Sequence, residues 1–191
     1  MATHKVVSRE EWTSARRQHL AREKELTRLR DQLSRERRDL PWVKVDKPYV
    51  FDGPEGPTSL ADLFEGRSKL IVEHFMFDPS WEEGCKSCSF WVDNFDGIEV
   101  HLNHRDVSFV LVSRAPIARL QAYRQRMGWH VTWVSSLPSD FNRDYHVSFT
   151  PEELATGRAY YNYAPGSFPV PEAPGLSVFC KDTDGAIYHT Y

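Results

Sequence analysis

The chain has 191 residues, of which 40% are hydrophobic and 27% are charged, and its formal net charge is -3. This size and composition predict one folded domain with an appendage. The slight acidic excess argues against nucleic acid as a partner, and no apolar run is long enough to span a bilayer. The first residues lack the apolar stretch of a secretory signal, and three cysteines do not make a disulfide scaffold, so we expect a cytoplasmic protein.

Residues 1–40 are predicted to form a charged helical arm. Ser8 and Glu11 have the spacing of a capping box, which predicts where the helix begins, and Pro41 predicts where it ends. A narrow apolar stripe follows at helical spacing and consists of Leu26, Leu29 and Leu33. Such a stripe suits a solvated helix that packs across a surface, which is the simpler interpretation, or an arm that forms a homodimer.

Residues 41–191 are predicted to form one α/β domain. Apolar runs and turn residues predict strands at 42–45, 49–51, 69–77, 107–113, 132–135, 176–181 and 187–191. Helices are predicted at 58–64, 85–102, 116–128 and 139–145. Residues 147–174 are rich in proline and tyrosine without a regular period, so we expect an irregular insertion there. The order of elements predicts a mixed central sheet with helices on both faces.

Cys85 and Cys88 form a C-x-x-C motif between a predicted buried strand and a predicted helix. The N-terminus of a helix favours a thiolate at Cys85, and Cys88 follows one turn later, where it can resolve a mixed disulfide. Lys86 adds a positive charge beside Cys85, and Glu82 and Glu83 oppose it. The motif predicts a redox dithiol in which Cys85 attacks and Cys88 resolves.

Two other interpretations of these cysteines stay open. Both thiols could bind a metal ion, although the sequence has no second C-x-x-C or H-x-x-x-H to complete a zinc site. The thiols could also be inert. Cys180, on a predicted strand near the C-terminus, is expected to be a small core residue.

Four segments carry a resemblance to a known family: HFMFDPSWEEGCKSCSFWVDNFDG, RDVSFVLVSRAPIARLQAYRQRMGW, SDFNRDYHVSFTPEE and APGLSVFCKDTDG. They resemble a bacterial thioredoxin-like family catalogued as DUF899. More distantly, the stretch TSLADLFEGRSKLIVEHFMF is similar to peroxiredoxin, Sco-type and TlpA-type proteins. The resemblance implies a thioredoxin-like fold. Members of the family usually continue past the His-Thr-Tyr end of this chain, which implies a truncated sequence or an unusually short member.

The resemblance also implies which residues face a substrate. Pro174 stands where thioredoxin folds place a proline, often cis, in front of the active-site cysteines, so the backbone at Ala173–Pro174 would present a carbonyl and an amide to a substrate. Trp81 and Trp91 flank the cysteines and are expected to make the site apolar. Peroxiredoxins carry a threonine three residues before the reactive cysteine, and Glu82 stands there instead, which argues against a standard peroxidase.

A metal-binding alternative follows from Sco-type proteins, which bind copper with two cysteines and a distant histidine. The place of that histidine holds Glu172-Ala173-Pro174 here, which weakens the match. His146, and after it His130, are the nearest candidates for a third ligand beside Cys85 and Cys88. Two thiolates and an imidazole would favour copper or zinc.

Two further groups of residues have competing interpretations. Tyr160, Tyr161, Tyr163 and Phe168 could form an aromatic wall over the dithiol or pack on the sheet. His74, inside the central strand, is expected to be a core residue.

The sequence therefore favours a thiol–disulfide oxidoreductase that requires no cofactor. It would act on a thiol, a disulfide or a small molecule, with no nucleic-acid or membrane partner. The alternative is a copper- or zinc-binding protein, or a copper enzyme, with Cys85, Cys88 and His146 as ligands. A third possibility is a noncatalytic interaction module that dimerises through residues 8–39.

Overall fold

The computed structural model describes residues 4–191, and the first three residues of the predicted arm lie outside the described residues. The chain divides into two compact units, one that ends at Pro41 and one that spans Trp42–Tyr191. In the first unit, helix α1 spans Arg9–Arg38, which confirms the predicted helix. Ser8 and Glu11 form the predicted capping box: the Glu11 amide donates to the Ser8 hydroxyl at 3.2 Å, and the Ser8 amide donates to the Glu11 carboxylate at 2.9 Å.

The apolar stripe of α1 is partly exposed. Its leucines, which are each about half exposed, are Leu26, Leu29 and Leu33. Basic residues occupy the last turn of the helix, where the negative end of the helix dipole stabilises their positive charge. The exposure of the stripe is compatible with dimerisation, and the homodimer stays a prediction.

The second unit is built on a mixed sheet. The strands are β1 (Val43–Lys44), β2 (Val50–Gly53), β3 (Gly56–Ser59), β4 (Lys69–His74), β5 (Val107–Ser113), β6 (Thr132–Ser135), β7 (Ala159–Tyr161), β8 (Ala164–Gly166), β9 (Gly175–Lys181) and β10 (Ile187–His189). Eight of them form one sheet in the order β1-β10-β9-β4-β5-β6-β2-β3, and β7 pairs with β8. β4, β5 and β6 run parallel, whereas β9 runs antiparallel to β4. The predicted mixed α/β class is confirmed.

The helices of this unit match the predictions in part. They are a 3₁₀-helix (Asp62–Phe64), α2 (Lys86–Phe95), α3 (Glu99–Asn103), α4 (Ile117–Met127), α5 (Phe141–Asp144) and α6 (Pro151–Thr156). The single helix predicted at 85–102 is wrong: α2 ends before Gly97, whose φ of 89° cannot continue a right-handed helix. The helix predicted at 58–64 is wrong in its first half, because Thr58 and Ser59 pair with β2. Among the described residues, no helix has both the length and the apolar character needed to cross a bilayer.

The insertion predicted at 147–174 is more regular than expected. Thr150 and Glu153 form a second capping box that begins α6, with the Glu153 amide donating to the Thr150 hydroxyl at 3.2 Å. β7 and β8 then form a hairpin in which Tyr161 lies opposite Ala164. The prediction of an irregular segment is therefore wrong for this part of the chain.

β4 lies in the middle of the sheet and separates two core layers. Leu70 and Val72 belong to one layer, which also contains Phe141 and Phe179. Because side chains alternate along a strand, Glu73 points to the opposite face, together with Phe75. On that face Phe75 packs in one cluster with Cys88 and Val92 of α2 and with Leu120 of α4, so the dithiol helix covers the face that carries Glu73.

Candidate active site

The dithiol lies at the N-terminus of α2. Cys85 is the N-cap residue and is partly exposed, whereas Cys88 has only 4% of its surface exposed. The Cys85 amide donates to the Met76 carbonyl at 3.1 Å, and the Ser89 amide and hydroxyl both donate to the Cys85 carbonyl at 2.9 Å. These bonds fix Cys85 at the N-terminus of α2, where the first amides of a helix have no partner within the helix. The pair thus has one accessible sulfur and one sheltered sulfur.

The loop before Cys85 is held in place by Arg119 and Gly84. The Arg119 guanidinium donates to the Pro79 carbonyl at 2.8 Å and to the Trp81 carbonyl at 2.6 Å. A Cβ on Gly84 would lie 2.6 Å from Cε1 of the buried Phe75, so only glycine lets the chain pass this close to the ring. α4 and the core therefore set the position of the first cysteine.

Cys88 is held as a thiol. Burial is the largest cause that raises its pKa to about 12, while the Met76 amide opposes part of this effect. Smaller contributions in the raising direction come from the neighbouring Cys85 thiol, by charge and by hydrogen bonding, and from the charge of Glu73. The Cys85 thiol is thus a hydrogen-bond partner of Cys88, and Glu73 has the smallest of these effects.

Glu73 is a functional candidate that the sequence analysis missed. Its side chain is 2% exposed, and its Oε2 atom has no hydrogen-bond partner among the described residues. Burial raises its pKa to about 7. A carboxyl group with this proton affinity, on the sheet face that α2 covers, can take up or release a proton near neutral pH. The available signal was an acidic residue inside the otherwise apolar run of β4.

The charges around Cys85 are partly compensated. The Glu83 carboxylate accepts from the Arg126 guanidinium at 2.8 Å, which lowers the pKa of Glu83, and Lys86 adds a smaller effect in the same direction. Glu83 is exposed, so solvent screens this pair. Arg126 therefore offsets the charge of Glu83, one of the two acidic residues that precede the dithiol in the sequence.

The backbone at Pro174 differs from the expectation drawn from thioredoxin folds. The Ala173 amide donates to the Val147 carbonyl at 2.8 Å, and the Tyr161 hydroxyl donates to the Pro174 carbonyl at 2.8 Å. The Ala173–Pro174 peptide bond is trans. The groups expected to bind a substrate backbone are thus already bonded within the chain. Pro174 as a substrate-facing residue stays a prediction.

Tyr161 belongs to the predicted aromatic wall. Burial raises the pKa of the Tyr161 phenol, and the charge of the nearby Cys88 contributes in the same direction. Of this wall, Phe168 packs against Tyr161 and Phe149, with ring centroids 5.2 Å and 5.1 Å away, and its position over the dithiol stays a prediction.

The two predicted tryptophans lie in different surroundings. Trp81 and Cys85 both pack against the core cluster that contains Cys88. Trp91 is 46% exposed and contacts Phe95 with ring centroids 6.4 Å apart. A role for either side chain toward a substrate stays a prediction.

The histidines proposed as a third metal ligand have other partners. The His146 ring is edge-on to Tyr160, with centroids 4.7 Å apart, and His130 lies 3.0 Å from the Asp96 carboxylate. Across residues 4–191, no three His, Cys, Asp or Glu side chains form a group that could hold a metal ion. Cys85, Cys88 and His146 therefore do not fit a preassembled site for copper or zinc.

His74 is a core residue, as expected. Its side chain is 1% exposed, its Nε2 atom lies 2.9 Å from the Ser177 hydroxyl, and its ring stacks on Phe141 with centroids 5.6 Å apart. Burial lowers its pKa to about 3, so the ring is neutral at physiological pH.

Comparison with solved structures identifies the fold. The peroxidoxin BcpB from Mycobacterium tuberculosis is similar to this chain with a TM-score of 0.52 and 13% identity, over 76% of this chain and 80% of that one. Two further similar structures are a bacterioferritin comigratory protein from Xanthomonas campestris (TM-score 0.46, 13% identity, 76% and 82% covered) and a thiol:disulfide interchange protein of the thioredoxin family from Chlorobium tepidum (TM-score 0.40, 16% identity, 78% and 83% covered). The thioredoxin-like fold is confirmed.

Comparison with sequences gives one match. The family model described as "Bacterial protein of unknown function (DUF899)" matches residues 1–191. No curated protein matches the chain.

Proposed function

The chain belongs to the bacterial family DUF899, whose model spans residues 1–191, and on this premise we propose that it is a thiol–disulfide oxidoreductase acting through Cys85 and Cys88. The observation that carries the proposal is the asymmetry of the dithiol. One thiol is accessible at a helix N-terminus, and the other is buried on the sheet face that also carries Glu73, whose Oε2 atom has no hydrogen-bond partner among the described residues. This arrangement supports attack by the first thiol and resolution by the second.

In the proposed reaction, the Cys85 thiolate attacks one sulfur of a substrate disulfide. The substrate S–S bond breaks, and the leaving thiolate takes its electron pair and then a proton from solvent. Cys88 next attacks the Cys85 sulfur and expels the second substrate thiolate, which leaves a Cys85–Cys88 disulfide. The protein loses two electrons and the substrate gains two.

Glu73 is proposed to accept the proton that Cys88 must lose in the second step. Burial keeps the Cys88 thiol protonated, so resolution requires a nearby base. At neutral pH a substantial share of Glu73 is ionised, because its pKa is about 7. The carboxylate lacks a competing hydrogen bond at Oε2, which leaves that atom free to receive the proton.

The alternative is a copper- or zinc-binding protein that uses the two thiolates. His146 and the dithiol do not form a preassembled site, so a bound metal would need ligands from elsewhere or a rearrangement. The same thiolates cannot be fully metallated and freely redox-active, and metal analysis separates the two proposals. A homodimer through α1 is proposed for either function, on the strength of its half-exposed leucine stripe.

The test is a redox equilibrium of the full chain in glutathione buffers, with free thiols alkylated and counted by mass spectrometry. We expect the wild type to lose two alkylatable thiols in one step as the buffer becomes oxidising. Cys180→Ser is the matched control and should behave the same, whereas Cys88→Ser should lose the two-thiol transition. Stoichiometric copper or zinc in protein purified without chelator, lost in Cys85→Ser, would favour the metal-binding alternative.

A further inference from the structure

One face of α4 holds the chain around the dithiol. Arg119, Tyr123 and Arg126 have the helical spacing i, i+4 and i+7, which places them on the same face of the helix. The Arg119 guanidinium bonds two carbonyls of the loop that precedes Cys85, and Arg126 pairs with Glu83 of the same loop at 2.8 Å. Tyr123, which stands between the two arginines in the sequence, reaches the residues next to the cysteines.

The hydroxyl end of Tyr123 lies beside the two residues that flank the dithiol, Gly84 and Ser89. The Tyr123 hydroxyl is 3.0 Å from the Ser89 hydroxyl, and a Cβ on Gly84 would lie 3.4 Å from Cζ of Tyr123. Both Tyr123 and Ser89 are buried, with 8% and 7% of their surfaces exposed. The ring is edge-on to Phe77, and the Arg126 guanidinium lies 4.5 Å from its centroid. These contacts fix the hydroxyl beside the first turn of α2.

The two hydroxyls form a chain of hydrogen bonds that ends on Cys85. The Ser89 hydroxyl donates to the Cys85 carbonyl at 2.9 Å. A serine hydroxyl carries one hydrogen, so in the bond between the two hydroxyls Tyr123 donates and Ser89 accepts. The Cys85 carbonyl also accepts the ordinary helical bond from the Ser89 amide at 2.9 Å. Tyr123 thus orients the Ser89 hydroxyl, which adds a second bond to the residue that carries the first thiol.

The backbone of Cys85 is bonded on both sides. Its amide donates to the Met76 carbonyl at 3.1 Å, and its carbonyl accepts the two bonds from Ser89. Cys88 is buried in the core cluster, so it cannot move toward Cys85 without disturbing close-packed side chains. The distance and orientation between the two sulfurs therefore depend on how firmly Cys85 is held.

Resting on the proposed function, we propose that Tyr123 is a positioning residue for the dithiol: through the Ser89 hydroxyl it holds the Cys85 sulfur within reach of Cys88. Breaking this chain of hydrogen bonds gives Cys85 more freedom in the reduced protein and in the mixed disulfide, whereas the Cys85–Cys88 disulfide still requires the ordered geometry. The step in which Cys88 attacks the Cys85 sulfur and expels the substrate thiolate then needs more ordering, so it becomes slower and its product less stable.

The test compares Tyr123→Phe with the wild type in two measurements on the full chain. One is the equilibrium between the dithiol and its disulfide in glutathione buffers. The other is the rate at which the mixed disulfide of Cys85 with glutathione resolves, measured by acid quenching and mass spectrometry. We expect Tyr123→Phe to lower the equilibrium constant for disulfide formation and the resolution rate about fivefold, the factor that one hydrogen bond supplies, which raises the reduction potential by about 20 mV.

Two controls separate positioning from a general loss of stability. Tyr49→Phe is the matched control, because Tyr49 is also buried and its hydroxyl donates to Asp144 at 2.6 Å, but it packs in the core cluster on the other face of the sheet. It should change neither measurement. Since Tyr123 is proposed to act through Ser89, Ser89→Ala should have at least the effect of Tyr123→Phe, and the double variant should be no more affected than Ser89→Ala alone.

The outcomes distinguish this inference from the proposed function. Additive effects in the double variant, equal effects of Tyr49→Phe and Tyr123→Phe, or an unchanged Tyr123→Phe would overturn the role of Tyr123 while leaving the dithiol chemistry intact. A wild type that forms no disulfide between Cys85 and Cys88 in any of the glutathione buffers would overturn the proposed function, and the role of Tyr123 with it.

Discussion

Replacing Glu73 with glutamine should remove a pH-dependent cost from the folded state. Burial raises the pKa of Glu73 from the ordinary 4.5 to about 7. Between these values the native protein holds a proton that the unfolded chain has lost, so the free energy of unfolding of the wild type falls as the pH rises through this window. A tenfold difference in proton affinity corresponds to about 1.4 kcal/mol, so the whole difference is worth about 3 kcal/mol.

Glutamine has nearly the same shape as protonated glutamate and does not titrate. We therefore expect Glu73→Gln to match the wild type at about pH 4, below the ordinary pKa of the carboxyl group, and to exceed it by about 3 kcal/mol at about pH 8. The assay is urea unfolding of the reduced protein across this range, with the two profiles subtracted so that all other titrating groups cancel. Glu55→Gln, at an exposed position in the β2–β3 turn, is the control and should give a flat difference. Parallel profiles for the wild type and Glu73→Gln would refute the reasoning.

Three further predictions concern the loop, the other face of the sheet and the arm. Gly84→Ala puts a Cβ 2.6 Å from the Phe75 ring, and we expect it to cost about 2 kcal/mol in urea unfolding, whereas Gly166→Ala, with no atom within 4 Å of its Cβ, should be near neutral. Burial lowers the pKa of His74 from 6.5 to about 3, so the wild type should lose up to about 1.4 kcal/mol of its free energy of unfolding for each pH unit between these two values as the pH falls. His74→Gln should lose less over the same pH range in urea unfolding, and an equal loss in both proteins would contradict the burial of a neutral His74. The wild type should be a dimer and Leu29→Glu a monomer when their masses are measured by light scattering, while Arg28→Glu should stay a dimer. A monomeric wild type would rule out dimerisation through α1.

Local signals were enough to predict much of the fold. The capping box of Ser8 and Glu11 marks the start of α1, and the pair of Pro116 and Gly128 brackets α4, because caps act on the nearest turn of backbone. The apolar run of β5 was predicted with its observed bounds for a similar reason, since a strand buried on both faces has little room for polar residues. The spacing of the two cysteines also indicated the dithiol site.

Two predictions of secondary structure were wrong, for different physical reasons. Thr58 and Ser59 lie inside the helix predicted at 58–64, but their backbone pairs with Val50 and Phe51, so the helix begins only at Asp62, whose amide donates to the Ser59 hydroxyl at 3.2 Å. In the 147–174 segment, Thr150 and Glu153 repeat the capping pattern of α1, and the high content of proline and tyrosine around them obscured it. Local preference competes with nonlocal pairing, and sequence alone does not say which is stronger.

The parts of the site that depend on contacts between distant residues could not be predicted from the sequence. Glu73 precedes Cys85 by 12 residues, and its place on the same side of the sheet as Cys88 depends on α2 folding back over β4. The bond from Tyr161 to the Pro174 carbonyl likewise depends on how the β7–β8 hairpin packs. An acidic residue in an apolar strand is visible in the sequence, but only the fold shows which elements surround it.

Mapping the site of a trapped mixed disulfide is the most direct test that Cys85 attacks the substrate and Cys88 resolves the intermediate. Reduced Cys88→Ser is exposed to glutathione disulfide, digested and analysed by mass spectrometry, because removing the resolving thiol should make the intermediate persist. We expect one glutathione on Cys85, whereas the wild type should end as the Cys85–Cys88 disulfide. Modification of Cys180 in place of Cys85, or an unmodified Cys85, would contradict the account.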